Sequence, residues 1–144
     1  MSSIKDTFCD LLRSSGNSIT KARLTVFDSL VGQEPISMAE LVKRAAGVDR
    51  ASVYRAVELF EQLNIVQRIN IGWKYKIELS DKFTAHHHHA TCTNCERTVK
   101  MNEQALEHFI DQLARQYGFA PTAHQIEIQG LCKGCQLNPD HWST

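Results

Sequence analysis

Two Cys-x-x-Cys pairs constrain the fold of this chain more than any other feature of its sequence. Cys92 and Cys95 form the first pair, and Cys132 and Cys135 form the second. Two thiolates on a tight turn can both reach one ion at about 2.3 Å, so two pairs complete a tetrahedral shell of four sulfurs. Such a shell leaves no position open for water. We therefore predict a structural zinc ion that holds the two segments together.

The alternative for either pair is a redox-active dithiol. Because the chain carries two pairs and lacks the βαβ pattern of thioredoxin-like proteins, zinc is favoured. The fifth cysteine, Cys9, stands among Phe8, Leu11 and Leu12, which indicates a small core residue rather than a reactive thiol.

The composition is typical of a soluble globular protein. Hydrophobic residues make up 42% of the 144 residues, and no apolar run approaches the roughly 18 residues of a membrane span. We therefore expect a cytoplasmic protein without a membrane partner. The 16 Lys and Arg residues balance 16 acidic residues. The net charge is therefore compatible with nucleic-acid binding but gives no evidence for it.

The first half of the chain has the pattern of four short helices followed by a β-hairpin. Apolar residues recur at helical spacing, Ser37 and Glu40 have the spacing of a capping box, and Asp49 precedes the fourth helix. Beyond residue 64 the period changes to two on either side of Gly72, as in a hairpin. The predicted helices cover residues 4–15, 20–31, 37–46 and 50–63, and the predicted hairpin covers residues 65–79.

This order of elements is that of a winged helix-turn-helix, whose last helix enters the major groove of DNA. A generic helical domain with a hairpin is the alternative. The polar stretch of residues 80–85 lacks apolar periodicity and indicates a linker. We therefore predict a winged-helix DNA-binding domain over residues 1–80 and a small α/β dimerisation domain over residues 81–144, so the fold class is α+β.

The second domain is expected to contain short strands and one long helix. We predict a strand over residues 86–91, the first cysteine pair on a turn, and a strand over residues 99–101. Asn102 is expected to cap a helix that ends at Gly118, and a strand over residues 123–130 leads to the second cysteine pair. One face of that helix carries Leu106, Phe109, Ile110, Leu113 and Tyr117.

Four consecutive histidines, residues 86–89, precede the first cysteine pair. Their position in mid-chain argues against a purification tag. On a strand, His86 and His88 point to one face while His87 and His89 point to the other. One short segment can therefore supply ligands to two metal sites.

Further ligands for the first of these sites are expected from the helix and the last strand. Glu107 lies at the edge of the apolar stripe, whereas His108 points away from it and is expected on the surface. His124 shares a face with Ile126 and Ile128, where a hydrogen-bonded core histidine is the alternative. A set of three nitrogens and one oxygen suits Zn(II), Fe(II), Mn(II) or Co(II). The predicted ligands are His86, His88, Glu107 and His124.

The second site needs a ligand besides His87 and His89. Glu78, at the end of the hairpin, is the nearest carboxylate with a structural reason to lie there. A metal bound by these three residues would bridge the two domains and stabilise one relative orientation of them. We call this predicted set the hinge site.

Taken together, these residues resemble the ferric uptake regulator family of metal-dependent regulators, from Gly16 to Cys135. The order and joint presence of the motifs are far more specific than any single one of them. In chain order, the motifs are Thr20-Lys-Ala-Arg23, Ala51-Ser-Val-Tyr-Arg55, residues 75–79, the histidine run before the first cysteine pair, and Gly130-Leu-Cys132-x-x-Cys135.

The resemblance implies a homodimer whose winged-helix domains bind palindromic operator DNA when loaded with metal and repress metal-homeostasis genes. It implies structural zinc and a regulatory divalent metal, Fe(II) or Zn(II), with Mn(II) as a further candidate. By position it assigns Tyr54 to base contacts and Arg55 and Arg23 to bases or phosphates, which both side-chain types can reach from a recognition helix. The predicted DNA-contacting residues are Tyr54, Arg55, Arg23, Ser52 and Lys21.

The chain departs from the family pattern at two places. Residues 34–38 offer no histidine to the hinge site, which leaves that site with three protein ligands and water, or with a ligand that the sequence does not indicate. Lys100 stands where peroxide-sensing relatives carry an aspartate, which disfavours that subtype.

Three other functions compete with this prediction. A DNA-binding regulator with structural zinc alone and a peroxide-sensing member of the family are the alternatives within DNA-binding proteins. A zinc enzyme such as a deaminase is the alternative from another class, but the signature His-x-Glu with Pro-Cys-x-x-Cys is absent. We therefore expect no catalytic residue and no small-molecule substrate.

Overall fold

A computed structural model of the protein describes residues 3–138. The chain divides into two compact units, with the division between Ala85 and His86. We call them the amino-terminal and the carboxy-terminal unit and describe each by itself.

The amino-terminal unit contains four helices, each of which begins at a side-chain cap. The hydroxyl or carboxylate oxygens of Ser3, Thr20, Ser37 and Asp49 accept hydrogen bonds from backbone N–H groups three residues later. These caps satisfy amides that a helix otherwise leaves unbonded. The helices are α1 (Ile4–Ser14), α2 (Lys21–Asp28), α3 (Met38–Arg44) and α4 (Arg50–Gln62).

Two local expectations for these helices were wrong in detail. Helix α2 ends at Asp28 rather than near residue 31, because the Leu30 N–H already donates to the Phe27 carbonyl in a tighter turn. At α3 only one half of the expected capping box forms. The Ser37 hydroxyl caps the Glu40 amide, but the Glu40 carboxylate binds Arg44 one turn further along.

A β-hairpin follows α4, as the alternating pattern predicts. Strands β1 (Val66–Ile71) and β2 (Lys74–Leu79) pair antiparallel. Gly72 takes a φ of 60° in the two-residue turn, a conformation that glycine adopts without strain. Ile36 adds a third short segment to this sheet through two hydrogen bonds with Ile77. Together, the helices and the three-segment sheet form the winged helix.

Aromatic side chains form the centre of the amino-terminal core. Phe8 stacks on Phe27 with ring centroids 4.0 Å apart and meets Phe60 edge-to-face at 5.2 Å. Helix α4 turns Val53, Ala56, Val57 and Phe60 inward. Cys9 is half-buried and packs against this core, as the sequence predicts.

The carboxy-terminal unit contains a three-stranded sheet of order β4-β3-β5. Strand β3 pairs antiparallel with β4 and parallel with β5. Parallel pairing requires a long crossover between the strands, and α5 lies within it. The elements are β3 (His88–Cys92), β4 (Thr98–Met101), α5 (Gln104–Gln116), β5 (Glu127–Gly130) and α6 (Lys133–Leu137).

Several boundaries in this unit differ from the prediction. Strand β5 begins at Glu127 rather than near residue 123, because it pairs with β3 only from the position opposite His89. His124 therefore lies in the segment before the strand. Helix α5 begins after Glu103 rather than Asn102, without a side-chain cap. The second cysteine pair lies at the start of the short helix α6, which was not predicted.

Helix α5 buries none of its residues. Its predicted apolar stripe exists, but Phe109 and Tyr117 leave 60% and 74% of their surface exposed. A stripe of this kind is normally packed against another element. Within residues 3–138, every helix is too short or too polar to cross a lipid bilayer.

Candidate metal centres and nucleic-acid interface

The structure brings the two cysteine pairs together. Cys92 ends β3, Cys95 follows it in the turn, Cys132 precedes α6 and Cys135 lies within α6. The four sulfur atoms lie within 4.8 Å of one another, with 3.8 Å between the sulfurs of Cys95 and Cys132. An edge of about 3.8 Å is also expected for a tetrahedron of sulfurs around zinc. We call these four residues the thiol cluster.

Backbone N–H groups favour the thiolate form of one cysteine in the thiol cluster. Burial by itself raises the pKa of the Cys92 thiol, but backbone N–H groups of Cys132, Cys95 and Asn94 point toward its sulfur and lower the pKa to about 6. The Cys132 amide lies 3.3 Å from this sulfur. Cys92 is therefore disposed to be a thiolate, which is the form that binds metal.

Cys135 shows the opposite behaviour. Burial raises the pKa of its thiol, and the neighbouring thiols of the cluster raise it further. A hydrogen bond with Asn94 lowers the pKa, but the net result is a pKa of about 12. Negative charge on several crowded sulfurs is stable only with a cation between them. The donor set and its crowding therefore fit a structural zinc ion.

A second cluster forms where the histidine run meets α5 and the segment before β5. The Nε2 atoms of His86 and His124 lie 3.1 Å apart, and His88 Nε2 lies 2.6 Å from Glu107 Oε1. His124 Nε2 lies 2.9 Å from the other oxygen of Glu107. All four ligand atoms lie within 4.8 Å of one another. We call these residues the His–Glu cluster.

Glu107 carries the negative charge of the His–Glu cluster. Partial burial raises the pKa of its carboxyl group, but a hydrogen bond from His88 and the nearby His124 and His86 lower it below the usual range. Two imidazole nitrogens as close as those of His86 and His124 either share a proton or bind a common cation. Three imidazoles around one carboxylate fit a divalent cation. His108, on the same helix, is exposed.

The residues of the predicted hinge site fall into different units. His87 and His89 are buried, with ring centroids 4.8 Å apart. His89 lies on β3, whose alternation turns it away from the face of His88. His87 precedes the strand, which begins at His88 rather than at the predicted residue 86, because pairing with β4 starts there. Glu78 is buried on β2, where its carboxylate accepts a hydrogen bond from Gln67 at 2.7 Å. The hinge site remains a prediction from the sequence.

Helix α4 presents a polar face beside its buried one. Tyr54 is 40% exposed, and Arg55 donates a hydrogen bond to the Ser52 hydroxyl, which donates to Asp49. The same hydrogen bonds from Ser52 hold the pKa of the Asp49 carboxyl below its usual range. The carboxylate thereby fixes the start of the helix and the side chains on its first turns.

A small groove lies between α2 and α4. Its volume is about 190 Å³, and two guanidinium groups and two hydroxyls contribute to its lining. The side chains are those of Arg23, Arg55, Thr20 and Ser52. Such a set of donors can receive a phosphate oxygen. Lys21 is exposed at the start of α2.

Arg50 also belongs to this face, although no sequence motif indicated it. Its guanidinium lies over the ring of Tyr54, 5.4 Å from the centroid. Positions i and i+4 face the same side of a helix, so this spacing was the signal available in the sequence.

Comparison with known proteins places this geometry in a family. Residues 14–129 match the profile of the Ferric uptake regulator family. The chain belongs to the ferric uptake regulator family. It is 30% identical over 138 residues to the ferric uptake regulation protein of Campylobacter jejuni, which covers 90% of this chain and 87% of that protein.

Other members of the ferric uptake regulator family match over a similar length. The peroxide operon regulator of Bacillus subtilis is 26% identical over 140 residues, covering 92% of this chain and 93% of that protein. The crystal structure of the Vibrio cholerae ferric uptake regulator has 27% identity and a TM-score of 0.74, covering 87% of this chain and 99% of that chain. The fold described above is therefore that of the ferric uptake regulator family.

We predict that Cys92→Ser abolishes tight zinc binding. A serine hydroxyl is a poor replacement for a thiolate, so three sulfurs remain and the cluster no longer closes around the ion. After dialysis against EDTA, the wild-type protein should retain one zinc per chain by mass spectrometry of metal content, and Cys92→Ser should retain none. The control is Cys9→Ser, which changes a cysteine outside the cluster. Equal zinc in both variants would contradict the assignment.

Proposed function

We propose that the chain is a transcriptional repressor that binds operator DNA as a homodimer when a divalent metal occupies the His–Glu cluster. The observation that carries this proposal is the convergence of three imidazoles and one carboxylate from three separate segments. Members of the ferric uptake regulator family are regulators, and metal-homeostasis genes are the proposed targets.

The regulatory ion would be held by His86, His88, Glu107 and His124. A bound Fe(II) or Zn(II), with Mn(II) as a further candidate, supplies positive charge that three imidazoles and one carboxylate can share. Binding ties together β3, α5 and the segment before β5. A ligand that binds one conformation better than the others increases the population of that conformation. We propose that this population is the one that binds DNA.

We propose a different function for each of the two units. The amino-terminal unit is proposed as the DNA-binding domain and the carboxy-terminal unit as the metal-binding and dimerisation domain. The thiol cluster would hold structural zinc in both the active and the inactive state, and the hinge site of Glu78, His87 and His89 would take a further metal. We propose that the protein acts in the cytoplasm and is not an enzyme.

DNA binding is assigned to the exposed face of α4 and to the groove beside it. Tyr54 and Arg55 would reach base edges, while Arg23, Ser52 and Lys21 would contact the phosphate backbone. Arg50 would orient the Tyr54 ring. The support is the exposure of Tyr54 and the cationic lining of the groove.

Dimerisation is assigned to the apolar stripe of α5. Phe109, Leu113 and Tyr117 are exposed by 60%, 43% and 74% and lie at intervals of four residues on one face. On the sheet, Val99 and Ile128 are also exposed. Apolar surface of this extent normally lies at an interface. A second copy of the same chain would cover it.

The relative from Bacillus subtilis favours a second candidate function, because its name is peroxide operon regulator. A peroxide sensor would lose DNA binding when treated with hydrogen peroxide in the presence of Fe(II) but not Zn(II). A regulator with structural zinc alone would bind DNA regardless of added metal. Both outcomes are measurable with the same duplex.

We predict that the double variant His86→Ala/His124→Ala abolishes metal-dependent DNA binding. Two of four ligands are lost, so the regulatory ion is no longer held, while the fold and one tightly bound zinc survive. Fluorescence anisotropy with a duplex selected from a random pool by the metal-loaded protein measures the affinity. The control is His108→Ala on the exposed side of α5. Unchanged DNA affinity in the double variant would refute the assigned role of the cluster.

We predict that Arg55→Ala weakens binding to the same duplex by about 1–3 kcal/mol, because one guanidinium contact with DNA is lost. If that contact is to a phosphate, the slope of log affinity against log salt concentration should also fall by about one. The control is Arg115→Ala, which removes an exposed arginine of α5. An equal effect of the two substitutions would argue against α4 as the DNA-reading helix.

We predict that Leu113→Glu shifts the protein from dimer to monomer. The substitution places a charge within the apolar stripe, where burial against a second copy would cost several kcal/mol. The matched control, Gln112→Glu, adds the same charge to the adjacent exposed position outside the stripe. Sedimentation velocity distinguishes a 16.3 kDa chain from its dimer. A dimeric Leu113→Glu variant would exclude the stripe as the interface.

A further inference from the structure

Three of the four donors in the His–Glu cluster are imidazole nitrogens. We infer that this cluster selects Zn(II) over Mn(II), and that His88 is the residue that sets this selectivity. The inference rests on the proposed function, because it names the ion to which that function responds.

The chemistry of the donors is the first argument. Imidazole suits zinc, whereas carboxylate, carbonyl and water ligands suit manganese. Glu107 is the only carboxylate in the cluster within the part of the chain that the structure describes. The cluster therefore offers little of the oxygen coordination that Mn(II) prefers.

The spacing of the donors is the second argument. Zinc with nitrogen and oxygen ligands at about 2.0–2.1 Å has tetrahedral edges of about 3.3 Å. The His86–His124 nitrogens lie 3.1 Å apart, and His86 Nε2 lies 3.7 Å from Glu107 Oε1. The contacts of Glu107 with His88 and His124 measure 2.6 and 2.9 Å. Some of these separations are shorter than the expected edge of the tetrahedron and one is longer. Four ligands can therefore close around a small ion.

The place of His88 in the fold is the third argument. His88 is the fully buried member of the cluster, with 1% of its surface exposed, whereas the side chains of His86 and Glu107 are about one-third exposed. It is also the first residue of β3, paired with Met101. A buried side chain on a paired strand cannot easily withdraw in favour of water ligands. The donor atom at this position therefore decides whether the site is rich in nitrogen or in oxygen.

The test compares the full-length wild-type protein with His88→Asp, both with zinc retained in the thiol cluster. His108→Asp is the matched control, because it makes the same exchange on the exposed side of α5. Co(II) is added to report coordination, since four-coordinate Co(II) absorbs visible light much more strongly than six-coordinate Co(II). Competition titrations with chelators of known affinity then give the Zn(II) and Mn(II) dissociation constants.

We expect the wild type and the control to show intense four-coordinate Co(II) bands and His88→Asp to show weak ones. The ratio of Zn(II) to Mn(II) affinity should fall at least about tenfold in His88→Asp, because an oxygen donor replaces a nitrogen donor. A weak six-coordinate spectrum in the wild type would overturn the inference without need of any variant. An unchanged affinity ratio in His88→Asp would overturn the role of His88.

Failure of the inference can be separated from failure of the proposed function. If Mn(II) activates DNA binding at the same free concentration as Zn(II), the selectivity is wrong and the metal-responsive function stands. If Zn(II) binds selectively but DNA binding ignores it, the selectivity stands and the metal-responsive function falls.

Discussion

A zinc ion bound by the four sulfur atoms would hold the carboxy-terminal unit together, because that unit buries little apolar surface of its own. Among its described residues, the only fully buried apolar side chains are those of Cys92 and Cys135. A unit of this size with so small a core needs a metal or a partner for stability. The thiol cluster lies where the end of β3 meets the start of α6, directly after β5, so a bound ion would stabilise the pairing of β5 with β3. The His–Glu cluster depends on that same arrangement of the sheet.

The amino-terminal unit depends on a different interaction. Its core of Phe8, Phe27 and Phe60 is fully buried, and α4 contributes an entire face to it. The rigid packing of that face leaves Tyr54 and Arg55 on the outside in a defined orientation. The proposed role of α4 as a recognition helix needs this rigidity, because base contacts are made over distances that tolerate little movement. One unit is thus stabilised by hydrophobic packing, and the other by its ligand clusters.

Much of the candidate site followed from local patterns. The period of two in the histidine run correctly separated His86 and His88 from His87 and His89, and helical counting distinguished Glu107 from the exposed His108. His124 lies beside its predicted partners, but it precedes β5 instead of lying on it as the alternating pattern predicted. Arg50 was overlooked because its contact with Tyr54 is a property of two neighbouring turns rather than of a motif.

By itself, the sequence determined most of the segments that form helices and strands and which way their side chains point, because these properties arise from periods of 3.6 and 2 within short stretches. Only the tertiary structure decided that β5 pairs in parallel with β3, which brings Cys132 to Cys92 and His124 to His86. It also decided that the apolar stripe of α5 stays exposed. Such pairings join residues about 40 positions apart, and their stability depends on the packing of the whole unit rather than on any local pattern.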